Sequence, residues 1–364
     1  MSEEFDPNQA IESAWTPPAS WYQSSEFYAA EKKSIFRSTW QVVGRVEQLQ
    51  KAGDYFAGEI GDESYVVVRG EDQKIRAFFN VCRHHATQVA QGEGCADHFK
   101  CPYHGWAYKI DGSLLGAPKM GSTENFARED YGLVPMPLCQ WGPFIAIQPN
   151  IRDESGPLSE LKDQAPELHD ALEGSGWREL KFYKRVLYDV PCNWKVYVDN
   201  YLDGGYHVSV LHGDLADQLN LKNYETRVFK NSVIQSCSGS QSNQASANLR
   251  ERVGGEAIYG WVFPNFMVNR YGPFMDTNFV VPISPTQCRV VFDYYCAPEK
   301  LSDEAFLEES LKASDKVQQE DDWICRSVQK GLASAAYDKG RYAPKLETGA
   351  FHFHKLLHKE LFGS

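Results

Sequence analysis

No run of about eighteen apolar residues occurs in the 364-residue chain, so no segment reads as a membrane-crossing helix. Basic residues are the minority. Against 49 Asp and Glu stand 37 Lys and Arg, and the formal net charge of -12 argues against nucleic acid, which calls for a basic face. Nine cysteines are present but lack framework spacing, which suits a reducing compartment better than a set of disulfides. A dinucleotide glycine fingerprint and a flavin motif are both missing, so any electrons must come from another protein. The acidic opening Met1-Ser-Glu-Glu-Phe-Asp6 lacks a signal or transit pattern. Repeats and low-complexity tracts are also lacking. What remains is an ordinary globular composition, 42% hydrophobic and 24% charged, long enough for two domains. The expectation is a soluble protein.

Two short stretches carry the densest chemistry. Cys82-Arg-His84 and Cys101-Pro-Tyr-His104 each offer one thiolate and one imidazole. Two Cys and two His also satisfy tetrahedral zinc, but zinc modules usually pair like ligands. One Cys and one His per loop is the order a Rieske [2Fe-2S] centre needs, with Cys82 and Cys101 on one iron and His84 and His104 on the other. Pro102 and Gly105 permit a tight second loop, and Trp106 is placed to shield the cluster. His85 beside the motif reads as packing or as a hydrogen-bond donor, and Cys95 and His98 have no role.

The surrounding pattern predicts a helix over Glu26–Phe36, then short strands at 40–46, 65–68, 75–79, 106–110 and 144–147 separated by turn residues. This gives an all-β domain over 40–150, preceded by a segment 1–39 that packs on the region 151–364. That last region reads as α+β, a helix-backed antiparallel sheet. It has an acidic helix over 158–172, a strand over 179–190 and a helix from Trp194. Four β segments follow, at 225–237, 257–269, 276–283 and 288–297, and then a long helix capped by Ser302 and ending near Leu332.

His207 and His212 are five residues apart, too far for neighbouring positions on one ideal helical face, although a helix end would bring both to one metal. Asp199, Asp203 and the run Glu320-Asp321-Asp322 are the carboxylates within reach of such a site. Two His and one carboxylate leave positions open for O2 and substrate at a non-haem Fe(II). His352, His354 and His358 in the tail read as positions on a C-terminal helix.

Both motifs together resemble the catalytic subunit of the Rieske non-haem iron oxygenases. The supporting residues are the cluster motif, Asn193-Trp-Lys195, Asp199-Asn200-Tyr201, His207, His212 and the stretch from Gln319 to Leu332. Within the family the likeness is greatest to choline-oxidising members, through stretches such as Pro18–Tyr22, Asn200–Asp203 and Arg270–Gly272. The resemblance implies Asp321 as the third iron ligand and places Asn200 and Asp203 at the catalytic site. Most ring-hydroxylating relatives have an acid three residues before the first His. Here that position is Gly204, and the acid sits at Asp203, which is implied to bridge to a neighbouring subunit's cluster unless it only satisfies local backbone donors.

The same resemblance implies a homotrimer with electron transfer between subunits, fed by a ferredoxin or ferredoxin-type reductase. The location would be cytoplasm, or chloroplast stroma for a mature plant form. The implied reaction is hydroxylation of choline to betaine aldehyde hydrate. N-demethylation or C–N cleavage of glycine betaine, carnitine or another small amine is the alternative, as is an aromatic substrate. Trp261, Phe263, Phe266, Tyr271 and Phe274 are the candidates for an aromatic box around a quaternary ammonium, although an aromatic stripe is also how a core reads.

Overall fold

The computed structural model describes residues 5–150, 159–240 and 246–363. They divide into two compact units, Phe36–Leu161 and Met1–Ile35 with Lys162–Ser364. These breaks differ from 39/40 and 150/151. The Trp40 indole donates to the carbonyl of Ser159 at 2.8 Å, which ties the later stretch to the first strand.

The smaller unit is all β. Its five-stranded sheet is centred on Asp54–Ile60, Glu63–Arg69 and Ile75–Phe79, and a second sheet pairs Gln41–Arg45 with Phe144–Ile147 and Leu138–Trp141. Val66, Val68 and Phe78 from the first sheet pack with Phe99, Trp106 and Tyr108, so the core reaches up to the cysteine loops. A third sheet, His98–Lys100, Ala107–Lys109 and Leu114–Gly116, carries the second of those loops.

The larger unit is built on a seven-stranded antiparallel sheet. Its strands are β1 (Lys181–Val190), β2 (Glu225–Val228), β3 (Ser232–Ser238), β4 (Glu256–Val262), β5 (Phe266–Tyr271), β6 (Phe274–Ser284) and β7 (Gln287–Cys296), in the order β1-β7-β6-β5-β4-β3-β2. The helices that matter for the site are α1 (Trp194–Tyr201), α2 (Ala247–Val253), α3 (Glu304–Leu332) and α4 (Thr348–Phe362). The α+β reading with a helix-backed antiparallel sheet holds.

Several element readings need correction. The expected segments 225–237 and 257–269 are each two strands, because Phe229–Asn231 and Phe263–Asn265 turn the chain. Proline cannot donate within a central strand, so the apolar run through Pro264 was a turn rather than a continuation. The acidic helix is interrupted at Ala165, since Pro166 starts a new helix (Pro166–Glu173) after Leu161–Gln164; Leu158 lies outside the described residues. Asp303 rather than Ser302 caps α3, its carboxylate accepting the Phe306 N–H at 3.1 Å. The N-terminal helix is Ser25–Glu31, continued by a wider turn over Lys32–Phe36.

Residues before Ile35 are anchored on the larger unit. Glu31 and Lys195, both fully buried, form an ion pair, and the Trp194 indole donates to Glu31 at 2.8 Å. Asn193 caps α1 through a 3.0 Å bond from the Lys195 N–H, which fixes where α1 starts and hence where Asn200 and Tyr201 point.

Candidate functional site: two metal-binding arrangements

The two cysteine loops are one turn used twice. The Cys82 N–H donates to Thr87 O at 2.8 Å and the Ala86 N–H to Cys82 O at 3.0 Å. Likewise the Cys101 N–H donates to Trp106 O at 2.7 Å and the Gly105 N–H to Cys101 O at 3.1 Å. The fifth residue of each turn is left-handed, Ala86 at φ 60° and Gly105 at φ 75°. This geometry buries both sulfurs and brings the His84 and His104 rings outward, 4.6 Å apart.

Trp106 stacks on His84 at 4.9 Å and 5°, and it is buried. Tyr108 Oη accepts the Arg83 N–H at 2.9 Å, which leaves its own proton for Cys82 Sγ at 3.2 Å. Burial, and then Cys82, pushes the Tyr108 pKa up, so the hydroxyl stays a donor. Burial disfavours the Cys101 thiolate, but the N–H groups of Tyr103 and His104 and the side chains of Cys82 and Thr87 outweigh it, and the net shift is downward. His84 Nδ1 is buried with no hydrogen-bond partner. Two buried sulfurs and an unsatisfied imidazole nitrogen are a donor set that suits a [2Fe-2S] cluster. His85 is exposed, 4.1 Å from the His84 ring.

In the larger unit, His207 and His212 flank the one-turn helix Val208–Leu211, and the chain breaks direction at His212 (φ -110°, ψ 67°). That break, rather than a continuous helical face, turns both imidazoles the same way. Their ligating atoms and one from Asp321 all lie within 4.8 Å of one another. His212 Nε2 is 3.1 Å and His207 Nε2 3.8 Å from Asp321 Oδ1.

Each imidazole has its own carboxylate behind it. His207 Nδ1 lies 2.6 Å from Asp203, and His212 Nδ1 lies 2.7 Å from Glu320. With Nδ1–H donating outward, each Nε2 lone pair faces the shared space, the usual support for a metal-binding His. Asn200 Nδ2 donates to Asp321 Oδ1 at 2.7 Å. Burial disfavours His212 protonation, but Asp321 and Glu320 more than offset it and raise its pKa. Three convergent donors with oriented tautomers fit a mononuclear Fe(II).

The remaining carboxylates point elsewhere. Asp199 accepts from Tyr22 at 2.7 Å and lies 2.8 Å from His354, while Asp322 pairs with Arg326 at 2.8 Å. Asp203 also accepts the backbone N–H groups of Tyr206 and His207, so it satisfies local donors while it holds an imidazole.

A cavity of about 140 Å³ opens beside the three ligands, lined in part by Asn200, Asp203, His207, His212 and Asp321. Its floor is a row of residues that face one another across strands β3 to β6: Gln235, Tyr259, Asn269 and Asp276. Its roof is one stripe of α3, Ser314, Val317, Gln318 and Asp321. Tyr201 donates to Asn269 Oδ1 at 2.7 Å, and Tyr224 stacks on Tyr259 at 6.4 Å.

Of the five expected aromatics only Tyr271 lines this cavity. Phe274 stacks behind Tyr271 at 6.1 Å, and Trp261 packs on Phe353 of α4 at 5.5 Å. Phe266 stacks on Phe279 at 5.2 Å, and Phe263 sits in the turn against Trp261. The expected box is therefore mostly core. The residues missed were Tyr201, Tyr224, Tyr259 and Asp276, together with Glu320 in its supporting role and Arg252. For Tyr259 and Asp276 the available signal was polar side chains at alternate positions of otherwise apolar strands.

Residues 177–361 match the family described as ring hydroxylating alpha subunit (catalytic domain), and residues 39–127 match the Rieske [2Fe-2S] domain. The chloroplastic choline monooxygenase of Arabidopsis thaliana is 44% identical over 98% of this chain and 86% of its own length. The carnitine monooxygenase oxygenase subunit of Escherichia coli K12 is 33% identical over 94% of this chain and 93% of its own. Among solved structures, the quaternary ammonium Rieske monooxygenase CntA with L-carnitine has a TM-score of 0.83 at 30% identity, covering 99% of both chains. Another study of such a monooxygenase describes inter-subunit electron transfer. Naphthalene 1,2-dioxygenase from Rhodococcus sp. shares the fold, with a TM-score of 0.78 at 19% identity over 96% of this chain and 95% of its own. The matched domains are those of a Rieske [2Fe-2S] cluster and a mononuclear iron. No described helix is long and apolar enough to cross a membrane.

Proposed function

This chain belongs to the Rieske non-haem iron oxygenases, and we propose that it inserts one oxygen atom of O2 into a C–H bond of a small quaternary ammonium compound. The observation that carries the reading is the convergence of His207, His212 and Asp321 at the end of a cavity walled by tyrosines. Tyrosine faces attract a quaternary ammonium by cation–π contact, about 0.5–2 kcal/mol each. Tyr201, Tyr224 and Tyr259 line the cavity and are the candidates for such contacts, since the Tyr271 ring already carries the Arg252 guanidinium at 4.6 Å.

In this reading Cys82, His84, Cys101 and His104 hold the cluster, and His207, His212 and Asp321 hold the iron. Bound there, the metals supply electron relay and O2 activation. The balance is C–H + O2 + 2 electrons + 2 protons giving C–OH + H2O, the electrons coming from a ferredoxin or ferredoxin-type reductase. Asp203 and Glu320 fix the tautomers of the two imidazoles, and Asn200 orients the Asp321 carboxylate. Val208, Val253, Val317 and Phe292 contribute apolar surface to a cavity otherwise rich in polar side chains, which restricts water on that side. A homotrimer with Asp203 between one subunit's iron and the next subunit's cluster would complete the electron path. Free cysteines and the chloroplastic relatives suit a cytoplasmic or stromal location.

On overall likeness the first substrate is choline, hydroxylated at its alcohol carbon to betaine aldehyde hydrate. A second reading, N-demethylation of a betaine, is favoured by the buried Arg252 in the same cavity. The test is a single turnover. The metal-loaded protein is reduced chemically without oxygen, then given substrate and labelled O2, while the cluster's visible and EPR signals are followed and product is read by mass spectrometry. Substrate-dependent cluster reoxidation with labelled product supports the reading. A well-loaded sample with no Rieske signal, or reoxidation indifferent to every quaternary ammonium compound, sinks it.

A further inference from the structure

One cation in the cavity wall has no anion to meet. Arg252 lies in the last turn of α2, is 6% exposed, and lines the cavity. Its Nη2 donates to Tyr271 Oη at 2.8 Å and to Ser314 Oγ at 2.7 Å, and the guanidinium lies 4.6 Å from the Tyr271 ring. Nε is buried with no hydrogen-bond partner. Among the described residues Arg252 has no ion-pair partner. Asp276, the acid that feels its charge, is reached only through Tyr271, whose hydroxyl takes the arginine's hydrogen bond and gives its own to Asp276. A buried cation without a partner is unfavourable unless something arrives to pair with it.

The position matters as much as the charge. Ser314 precedes Asp321 by two turns of α3, about 10.5 Å along the axis at 1.5 Å per residue. The guanidinium bonded to Ser314 is therefore held one small-molecule length from the iron ligand, with Tyr259 and Asn269 on the floor between. With both Nη2 hydrogens spent on Tyr271 and Ser314, the remaining guanidinium N–H groups are the donors left for a carboxylate, in charge-assisted hydrogen bonds stronger than those to a neutral hydroxyl.

We propose that Arg252 receives a substrate carboxylate, so that the cavity takes a quaternary ammonium carboxylate, a zwitterion with its cationic head among the tyrosines and its anion on the guanidinium. This rests on the quaternary ammonium reading above and selects the betaine class over free choline. A merely structural Arg252, strapping α2 to β5 and α3, is the competing account.

The experiment is the single turnover with holoenzyme, run on glycine betaine and on choline, for wild type, Arg252→Gln and Arg252→Lys. The readout is the ratio of the two half-saturating concentrations for cluster reoxidation. Wild type is expected to favour glycine betaine, and Arg252→Gln to lose about 10- to 150-fold of that preference, the range of a hydrogen bond to a charged group. Arg252→Lys keeps the charge and loses the guanidinium's directed N–H donors, so it is expected to fall between them; it also decides the matter if the Gln variant does not fold. Wild type preferring choline overturns the proposal and leaves the quaternary ammonium reading standing. Equal losses for both substrates in the variants, with the ratio unchanged, mean a structural arginine and also overturn it. No coupling with glycine betaine overturns the proposal, whereas the reading beneath it falls only when a wider series of quaternary ammonium compounds also fails to couple.

Discussion

Replacing Gly204 by alanine, or by the glutamate that would restore the ring-hydroxylating pattern, is expected to break the iron site rather than improve it. Gly204 has φ +72°, and a Cβ there would lie 2.2 Å from the carbonyl oxygen of Leu346. The left-handed conformation alone costs a non-glycine residue roughly 1–2 kcal/mol. The overlap is with backbone, which cannot rotate aside, and overpacking of this kind adds on the order of 1–3 kcal/mol. The Leu346 segment is itself pinned to the loop's other end, since the Ala350 N–H donates to Leu202 O at 3.2 Å. A total near 2–5 kcal/mol corresponds to a melting temperature lower by about 4 °C or more for a unit of this size. Because Asp203 directly precedes the strained residue and holds His207, iron retention should fall as well. Calorimetry of metal-loaded protein and iron analysis after desalting would measure both. A Gly204→Ala protein that melts within about 1 °C of wild type and keeps its iron would refute the reasoning, and the displacement of the acid to Asp203 would need another cause.

Three further outcomes are expected. Glu320→Ala removes the acceptor behind His212 and should weaken iron binding about 10- to 100-fold in an Fe(II) titration, with the cluster's spectrum unchanged; unaltered affinity would show that the 2.7 Å contact does not orient the ring. Tyr108→Phe deletes a hydrogen bond to Cys82 and should lower the cluster potential by about 40–60 mV, the equivalent of roughly 1–1.5 kcal/mol for one electron, in a redox titration followed by EPR. No shift would mean the hydroxyl proton does not point at sulfur. Lys195→Met leaves Glu31 buried without its partner and should cost about 3–5 kcal/mol of unfolding free energy, while Glu31→Gln with Lys195→Met should recover much of it; equal stabilities for the single and double variants would contradict that account.

The residues proposed as metal ligands stand out in the sequence where a short turn dictates their spacing. Cys82 with His84 and Cys101 with His104 sit inside five-residue turns, and His207 and His212 flank one turn of helix, so local chain geometry alone brings them together. The third, Asp321, was singled out by the family resemblance and not by local chain geometry. Glu320, Asp321 and Asp322 are consecutive on α3 and differ only in angle around its axis, which sequence alone does not reference to the sheet. Asp321 continues the stripe from Ser314, Val317 and Gln318, Glu320 is turned towards His212, and Asp322 faces Arg326. The cavity wall was misread for a related reason. Trp261 shares a face with Tyr259 but lies two residues further along β4, over Phe353, and Phe266 is on the opposite face of β5. The wall instead follows cross-strand register, Gln235 to Tyr259 to Asn269 to Asp276, and register depends on where the hairpins turn.

That register and the α3 stripe together constrain what the cavity can accept. Asp321, the support for His212 and the serine that holds Arg252 all ride on one helix, so the span from iron ligand to guanidinium is set by helical rise rather than by loop movement. The opposite wall is a four-strand row tied through Tyr201 to α1, the helix that also bears Asn200. Neither wall can lengthen the cavity without breaking a ladder of backbone hydrogen bonds. With one end of a zwitterion fixed on Arg252, the length of the substrate's own chain therefore decides which carbon faces the metal. A short acid would bring an N-methyl group there, and a longer one a different carbon. Regiochemistry across a series of betaines of increasing length would expose this ruler: a change of oxidised carbon with chain length is the expected result, and attack at the same carbon throughout would show that the anion is not anchored.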